Sequence, residues 1–316
     1  MTLGRQLGDG RTYFAYLLVQ TGLLLDMSDL PYERVRAIRN AMQALFEESA
    51  TVINAIDSTP LPGSTVENEL NNFVRPLSIK TAVSQSYFAL ESCGDYLSAL
   101  LKSLSEPAES IAPWSLARSA LEAGAISIWI GRPDIDAAER VNRSLAFRLC
   151  GLEEQRKIAE STPSITPPEA KTYQRLVSTA EAVGAVVKTH PSGRPTRVGA
   201  HWPGSTKLCG SELGEETTYR ILSAFAHSQP FAIQQLSFKM LGTSASDPDM
   251  VDAEKHLSNL SVAFIAHQSV QAFIRAFAAR LKLYGYLNGD TVKMLRRRTD
   301  EMQLPEERFR YCIWSG

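Results

Sequence analysis

One segment of this sequence, Pro113 to Ile130, is apolar nearly all round when it is projected onto a helix. A helix of this kind is buried, because it has no polar face to turn toward water. Pro113 suits the first turn of the helix, and Gly131 followed by Pro133 would end it. The segment therefore predicts a helix packed between neighbouring elements.

Other segments carry apolar residues three or four positions apart, the spacing of one helix face. They run from about position 30 to Asp57, Leu77 to Leu104, Asp134 to Ser161, Pro167 to Val187, Glu212 to His227, and Asp247-Pro248 to Tyr284. No stretch combines β-branched alternation with turn signals, and no period of roughly 20 to 50 residues repeats. The expected fold is an all-α, multi-helix bundle.

Two stretches depart from helical periodicity. Positions 189–210 are rich in proline and glycine, which predicts a long loop, and positions 231–241 fit a helix or a strand equally well. A short irregular or β element is expected in one of them. We predict a single helical domain over 1–316, with core helices in 30–188, a long loop at 189–211, C-terminal helices in 212–284 and a tail at 285–316.

Composition restricts the possible partners. The chain has 33 basic and 34 acidic residues, so no global charge draws it to nucleic acid or to a membrane surface. The early apolar stretch Tyr13–Leu25 is shorter than the roughly 20 residues of a spanning helix and lacks a signal-peptide cleavage site. The four cysteines form neither a CxxC pair nor the dense spacing of a disulfide-rich secreted domain, which predicts ordinary reduced thiols. They are Cys93, Cys150, Cys209 and Cys312. We expect a cytoplasmic protein without membrane association.

The spacing of the histidines and cysteines does not match that of a di-iron or a zinc site. A carboxylate-bridged di-iron bundle needs Glu-x-x-His repeats, and none of the five histidines has a glutamate three residues before it. No cysteine and histidine cluster has zinc spacing either. We therefore expect neither a metal nor a cofactor.

The strongest candidate site lies between Tyr219 and Pro230. Arg220, Ser223 and His227 occupy positions i, i+3 and i+7, which would project from one helical face. Tyr219 opens the segment and is a further candidate for binding. An arginine and a histidine so placed on a late helix resemble the motif of HEPN-type proteins, all-helical families that include ribonucleases and nucleotide-binding modules.

The resemblance implies an activity for two residues. Arg220 and His227 would contact the scissile phosphate of RNA and assist attack by the ribose 2′-hydroxyl, without a metal, across a homodimer interface. Histidine suits proton transfer because its reference pKa is about 6.5, and arginine binds phosphate in a bidentate manner. In the alternative interpretation, His227 merely caps the end of a helix.

Arg118 and Glu122 stand one turn apart in the apolar segment. Burying either charge alone would cost several kcal/mol, so each needs a partner, either the other residue or a group outside the helix such as Glu91 or a ligand anion. The basic run Lys293–Arg298 would offer further cations to RNA or to another acidic surface, although charge runs of this kind are usually solvated helix ends.

Two hypotheses follow from these residues. In the first, a HEPN-like protein binds or cleaves RNA or a nucleotide through Arg220 and His227, and Arg118 and Glu122 line the same cleft. In the second, a non-catalytic helical module serves a protein partner, and Arg118, Glu122 and His227 form an internal polar network. The direction in which His227 points distinguishes them.

Overall fold

A computed structural model describes residues 32–55, 59–105, 109–162, 164–244 and 251–302. These ranges hold eleven helices and two antiparallel two-stranded sheets. The helices are α1 (Tyr32–Ala55), α2 (Thr65–Asn72), α3 (Pro76–Ser103), α4 (Ala112–Gly131), α5 (Ala137–Ser161), α6 (Ala170–Ala182), α7 (Ser205–Leu213), α8 (Glu216–Ala226), α9 (Pro230–Leu236), α10 (Asn259–Tyr284) and α11 (Gly289–Glu301). The strands are β1 (Val187–Thr189), β2 (Pro195–Val198), β3 (Phe238–Thr243) and β4 (Val251–Lys255). The predicted all-α bundle with small β elements is confirmed.

Helix α4 is the central element of the bundle, as its apolar sequence predicts. Helices α3 and α10 pack along it, and α5, α7 and α8 also contact it. At Gly124 an added Cβ atom would lie 3.1 Å from both the Cβ and the carbonyl oxygen of Ala272 in α10. The absence of a side chain at this position therefore allows α4 and α10 to approach closely.

The prediction of a long loop at 189–211 is wrong for much of that segment. Strand β2 pairs with β1, with Val198 opposite Val187, and α7 begins at Ser205. Glycines with positive φ stand before and after α7, at Gly204 and Gly214. Because α7 is only nine residues long, its buried positions are too few to show a helical period in the sequence.

The C-terminal part of the chain also differs from the prediction. The ambiguous stretch at 231–241 contains both α9 and the start of β3, which pairs with β4. The helix expected from Asp247-Pro248 begins at Asn259, and the Asp-Pro pair itself lies outside the described residues. The Ser258 side chain caps this helix by accepting from the Ser261 amide.

The predicted tail at 285–316 contains a helix, α11. The Asn288 side chain accepts hydrogen bonds from the backbone amides of Asp290 and Thr291, which caps the helix start. Leu295 and Met302 are buried. This helix has only three apolar residues, Val292, Met294 and Leu295, so its apolar face is short and its cap is the clearer signal.

A buried ion pair holds α5 in place. Arg140 of α5 is 0% exposed and Glu69 of α2 is 8% exposed. Arg140 Nε donates to Glu69 Oε2 at 2.9 Å, Nη2 donates to Oε1 at 3.0 Å, and Nη1 donates to the Ile130 carbonyl at 2.8 Å. This arginine therefore joins α5 both to α2 and to the end of α4.

Two expectations concern segments that the structure does not describe. The early apolar stretch Tyr13–Leu25 and Cys312 both fall outside the described ranges. Within those ranges, no helix combines the length and the apolar character needed to cross a bilayer.

Candidate functional site

Five polar side chains meet where α4 faces α7 and α8, and we name them the Arg118 cluster: Arg118, Glu122, Ser205, Tyr219 and Ser223. Arg118 donates from Nε to Ser223 Oγ at 3.1 Å and from Nη2 to the Tyr219 hydroxyl at 2.8 Å. That hydroxyl donates to Glu122 Oε2 at 2.9 Å, and Ser205 donates to Glu122 Oε1. Arg118 Nη2 also lies 3.4 Å from Glu122 Oε2, and the central guanidinium carbon of Arg118 lies 5.2 Å from the centroid of the Tyr219 ring. Both charges are therefore compensated inside the protein.

Helical spacing explains why these residues meet. Arg118 and Glu122 are four residues apart on α4, and Tyr219 and Ser223 are four residues apart on α8, so each pair shares one face of its helix. The two faces are turned toward each other, and Ser205 lies at the start of α7. The structure thus brings together four of the predicted site residues.

The protonation states in this cluster suit a hydrogen-bonded network. Burial and the neighbouring Glu122 carboxylate raise the pKa of the Tyr219 phenol, so it stays protonated and can donate to Glu122. Burial also raises the pKa of the nearby Cys209 thiol to about 12. The thiol is therefore neutral near pH 7 and is not a nucleophile.

The expected convergence of Arg220, Ser223 and His227 on one face is wrong for Ser223. Arg220 is 65% exposed on the outer face of α8, where its Nη2 pairs with Glu216 Oε1 at 2.8 Å. With about 100° of rotation per residue, positions 220 and 223 lie about 60° apart. That angle places Ser223 at the interface with Arg118 and leaves Arg220 in solvent.

His227 ends α8 and is exposed. Its backbone amide donates to the Ser223 carbonyl at 2.9 Å. Position 227 lies about 20° from position 220 around the helix, so His227 and Arg220 share the outer face. The internal network of the second hypothesis therefore contains Arg118 and Glu122, with Tyr219 and two serines in place of His227.

The basic run Lys293–Arg298 contributes to packing. Arg297 and Arg298 of α11 both pair with Glu48 of α1, at 2.5 and 2.7 Å, and the hydrogen bond from Arg298 lowers the pKa of Glu48. Arg298 also pairs with Glu301 at 2.6 Å. These contacts attach α11 to α1 and occupy two of the cations that the sequence offered to RNA.

A second site, which the sequence did not reveal, is a cavity of about 650 Å³ between α3, α5 and α6. We name it the basic cavity. Its lining residues are Arg75, Leu77, Ser78, Thr81, Val141, Ser144, Leu145, Arg148, Lys171, Gln174, Arg175, Ser178 and Thr179. Four of them are cationic and none is a carboxylate, so the cavity has a positive potential.

Arg148 is the most unusual of these cations. It is partly buried, and burial lowers the pKa of its guanidinium. Its side chain makes no hydrogen bond or ion pair with any residue in the described ranges. By contrast, Arg140 and Arg143 of the same helix pair with Glu69 and Glu139. A partly desolvated guanidinium gains favourable electrostatic energy when an anion pairs with it.

Two other cations of the cavity stand at the amino ends of helices. Arg75 immediately precedes α3, and Lys171 lies in the first turn of α6. The helix dipole disfavours positive charge at this end. Lys171 is partly compensated by Glu169 at 2.5 Å, whereas Arg75 and Arg175 have no ion-pair partner among the described residues. An anion bound in the cavity would offset positive charge at the amino ends of both helices.

The sequence carried only one local signal for this cavity. One face of α5 carries three buried residues at helical spacing, and an arginine continues it. The buried residues are Val141, Ser144 and Leu145, and the arginine is Arg148. The remaining cations are distant in sequence and meet only because three helices pack together. Within the described residues, no three side chains of His, Cys, Asp or Glu converge as they would in a metal site.

Comparison with known proteins gives no assignment. The sequence matches no family model and no curated protein, and no solved structure matches the fold. The two sites differ in one physical respect that bears on function. The polar groups of the Arg118 cluster satisfy one another, whereas three of the four cations that line the basic cavity have no ion-pair partner among the described residues.

Proposed function

We propose that this chain binds a phosphate-bearing ligand in the basic cavity. One observation carries the proposal: the Arg148 side chain is partly buried and has no partner within the described part of the chain, in a cavity lined by three more cations and no carboxylate. Guanidinium groups bind phosphate oxygens through paired, charge-assisted hydrogen bonds. Arg148 would be the central contact, with Arg75, Lys171 and Arg175 around it.

Neutral groups of the cavity support a phosphate ligand. The hydroxyls of Ser78 and Ser178 line the cavity and make no side-chain hydrogen bond within the described part of the chain. They can donate to phosphate oxygens that the arginines leave unsatisfied. A volume of about 650 Å³ is also typical of small-molecule sites, which span roughly 300–1,000 Å³.

The test is calorimetric titration with pyrophosphate. We expect saturable binding by the wild-type chain that weakens as salt is added. Arg148→Met should reduce the affinity by about 30-fold or more, which corresponds to about 2 kcal/mol. Without ligand, the same variant should unfold at an equal or higher temperature than wild type, because it removes an uncompensated charge.

Arg156→Met is the matched control, because Arg156 lies two turns further along α5 and pairs with Glu153 and Glu160 outside the cavity. It should bind pyrophosphate as wild type does. Absence of saturable binding by wild type, or an equal loss in both variants, would contradict the proposal.

RNA cleavage by Arg220 and His227 is the second candidate function. The observation in its favour is that both side chains are exposed on the outer face of α8, where a polymer or a second copy of the chain can reach them. Wild-type protein, Arg220→Ala and His227→Ala should be incubated with mixed RNA in the absence of metal. Cleavage by wild type that both variants lose would support this activity, and equal cleavage by all three, or none by wild type, would exclude it.

A further inference from the structure

We infer that the ligand of the basic cavity is an organic diphosphate, a molecule with two linked phosphates and an apolar or aromatic body. The inference rests on the proposed function and specifies its ligand. Two kinds of molecule share this chemistry, nucleoside diphosphates and isoprenyl diphosphates, and the experiment below includes one of each.

The number of cations indicates two phosphates. Arg75, Arg148 and Arg175 have no ion-pair partner among the described residues, and Lys171 shares its charge with Glu169. A single phosphate monoester carries a charge of about −1.5 to −2 near pH 7. One such group would leave at least one cation of the cavity uncompensated, whereas two linked phosphates match three to four positive charges.

The arrangement of the cations agrees with an extended anion. Arg148 lies on α5, Arg75 at the start of α3, and Lys171 and Arg175 one turn apart on α6. The positive charges thus surround the cavity from three helices. An anion with two charged centres can contact cations from all three helices, and a single small ion reaches fewer of them.

Apolar groups line the same cavity beside the cations. Leu77 is 75% exposed at the second position of α3, two residues from Arg75, and Val141 and Leu145 of α5 form part of the wall. An isolated exposed leucine is ordinary, but this one borders a cavity that a diphosphate alone would not fill. We assign to Leu77 the contact with the body of the ligand.

The experiment compares four probes on the full chain by calorimetry: inorganic phosphate, pyrophosphate, adenosine diphosphate and geranyl diphosphate. We expect pyrophosphate to bind about tenfold more tightly than phosphate, because it adds a second charged group. At least one of the two organic diphosphates should bind about fivefold more tightly than pyrophosphate, because its body covers Leu77. The probe that gains affinity identifies the kind of body.

Leu77→Ser tests the apolar contact. This variant should lose the advantage of the organic diphosphate over pyrophosphate and keep the affinity for pyrophosphate itself. Leu241→Ser is the matched control, because Leu241 is an exposed leucine of β3 that does not line the cavity. It should behave as wild type with all four probes.

The outcomes separate this inference from the proposed function. If pyrophosphate fails to bind, both are overturned. If phosphate and pyrophosphate bind equally, or if neither organic diphosphate exceeds pyrophosphate, the phosphate site stands and the diphosphate inference is overturned. An advantage that persists in Leu77→Ser would overturn the assignment of that side chain.

Discussion

Replacing Glu69 with alanine is expected to lower the free energy of unfolding by about 3–5 kcal/mol. Arg140 is completely buried, and Glu69 accepts from both its Nε and Nη2 atoms. The variant would leave the guanidinium in the protein interior with only backbone carbonyls as partners. Urea unfolding followed by far-ultraviolet circular dichroism measures the loss.

Two controls test the electrostatic origin of this effect. The double variant Glu69→Leu with Arg140→Met removes both charges and should recover much of the lost stability, because apolar residues can replace a buried ion pair at little cost. Glu154→Ala removes one partner of an exposed pair with Lys157 on the same helix, and should change stability by less than about 1 kcal/mol. A loss below about 1 kcal/mol in Glu69→Ala would contradict the prediction.

Replacing Phe225 with alanine is expected to cost about 3–5 kcal/mol of unfolding free energy. Phe225 of α8 is fully buried and stacks on Trp114 of α4, with ring centroids 4.2 Å apart and an angle of 5° between the planes. Its removal leaves a cavity between the two helices that carry most of the Arg118 cluster. Urea unfolding monitored by tryptophan fluorescence measures the change.

Phe231→Ala provides the control for Phe225→Ala, because it deletes the same side chain six positions later. Phe231 is 44% exposed, so its loss should change the unfolding free energy by no more than about 0.5 kcal/mol. Similar losses in the two variants would show that α8 is not held to α4 by the stacked rings.

The Arg118 cluster and the basic cavity illustrate two uses of buried charge. In the cluster, Glu122 accepts from two hydroxyls and Arg118 donates to two, so the network stabilises the packing of α4 against α7 and α8. In the cavity, Arg148 has no such partner among the described residues. Anion binding would therefore be electrostatically favourable in the basic cavity and not in the Arg118 cluster.

Part of the fold and part of the first site could be predicted from local sequence. The apolar surface of positions 113–130 requires burial, and a charge within it requires a partner, so the need of Arg118 and Glu122 for polar partners followed from the cost of desolvation, although the sequence left the partners open. Tyr219 and Ser223 were also candidate binding residues in the sequence, although Ser223 was grouped there with Arg220 and His227. Both signals come from residues within one or two turns of each other, which is the range over which sequence periodicity is informative.

The tertiary structure alone decided the rest. It turned Ser223 toward Arg118 and Arg220 toward solvent, although the two are only three residues apart. It paired β4 with β3 in a segment where the Asp247-Pro248 pair had predicted the start of a longer α10. It also brought Arg75, Arg148 and Arg175 to one cavity from three separate helices. These three arginines lie up to a hundred residues apart in the chain, so their proximity depends on how the helices pack. Sequence periodicity reports only on neighbours within one element and cannot predict such a contact.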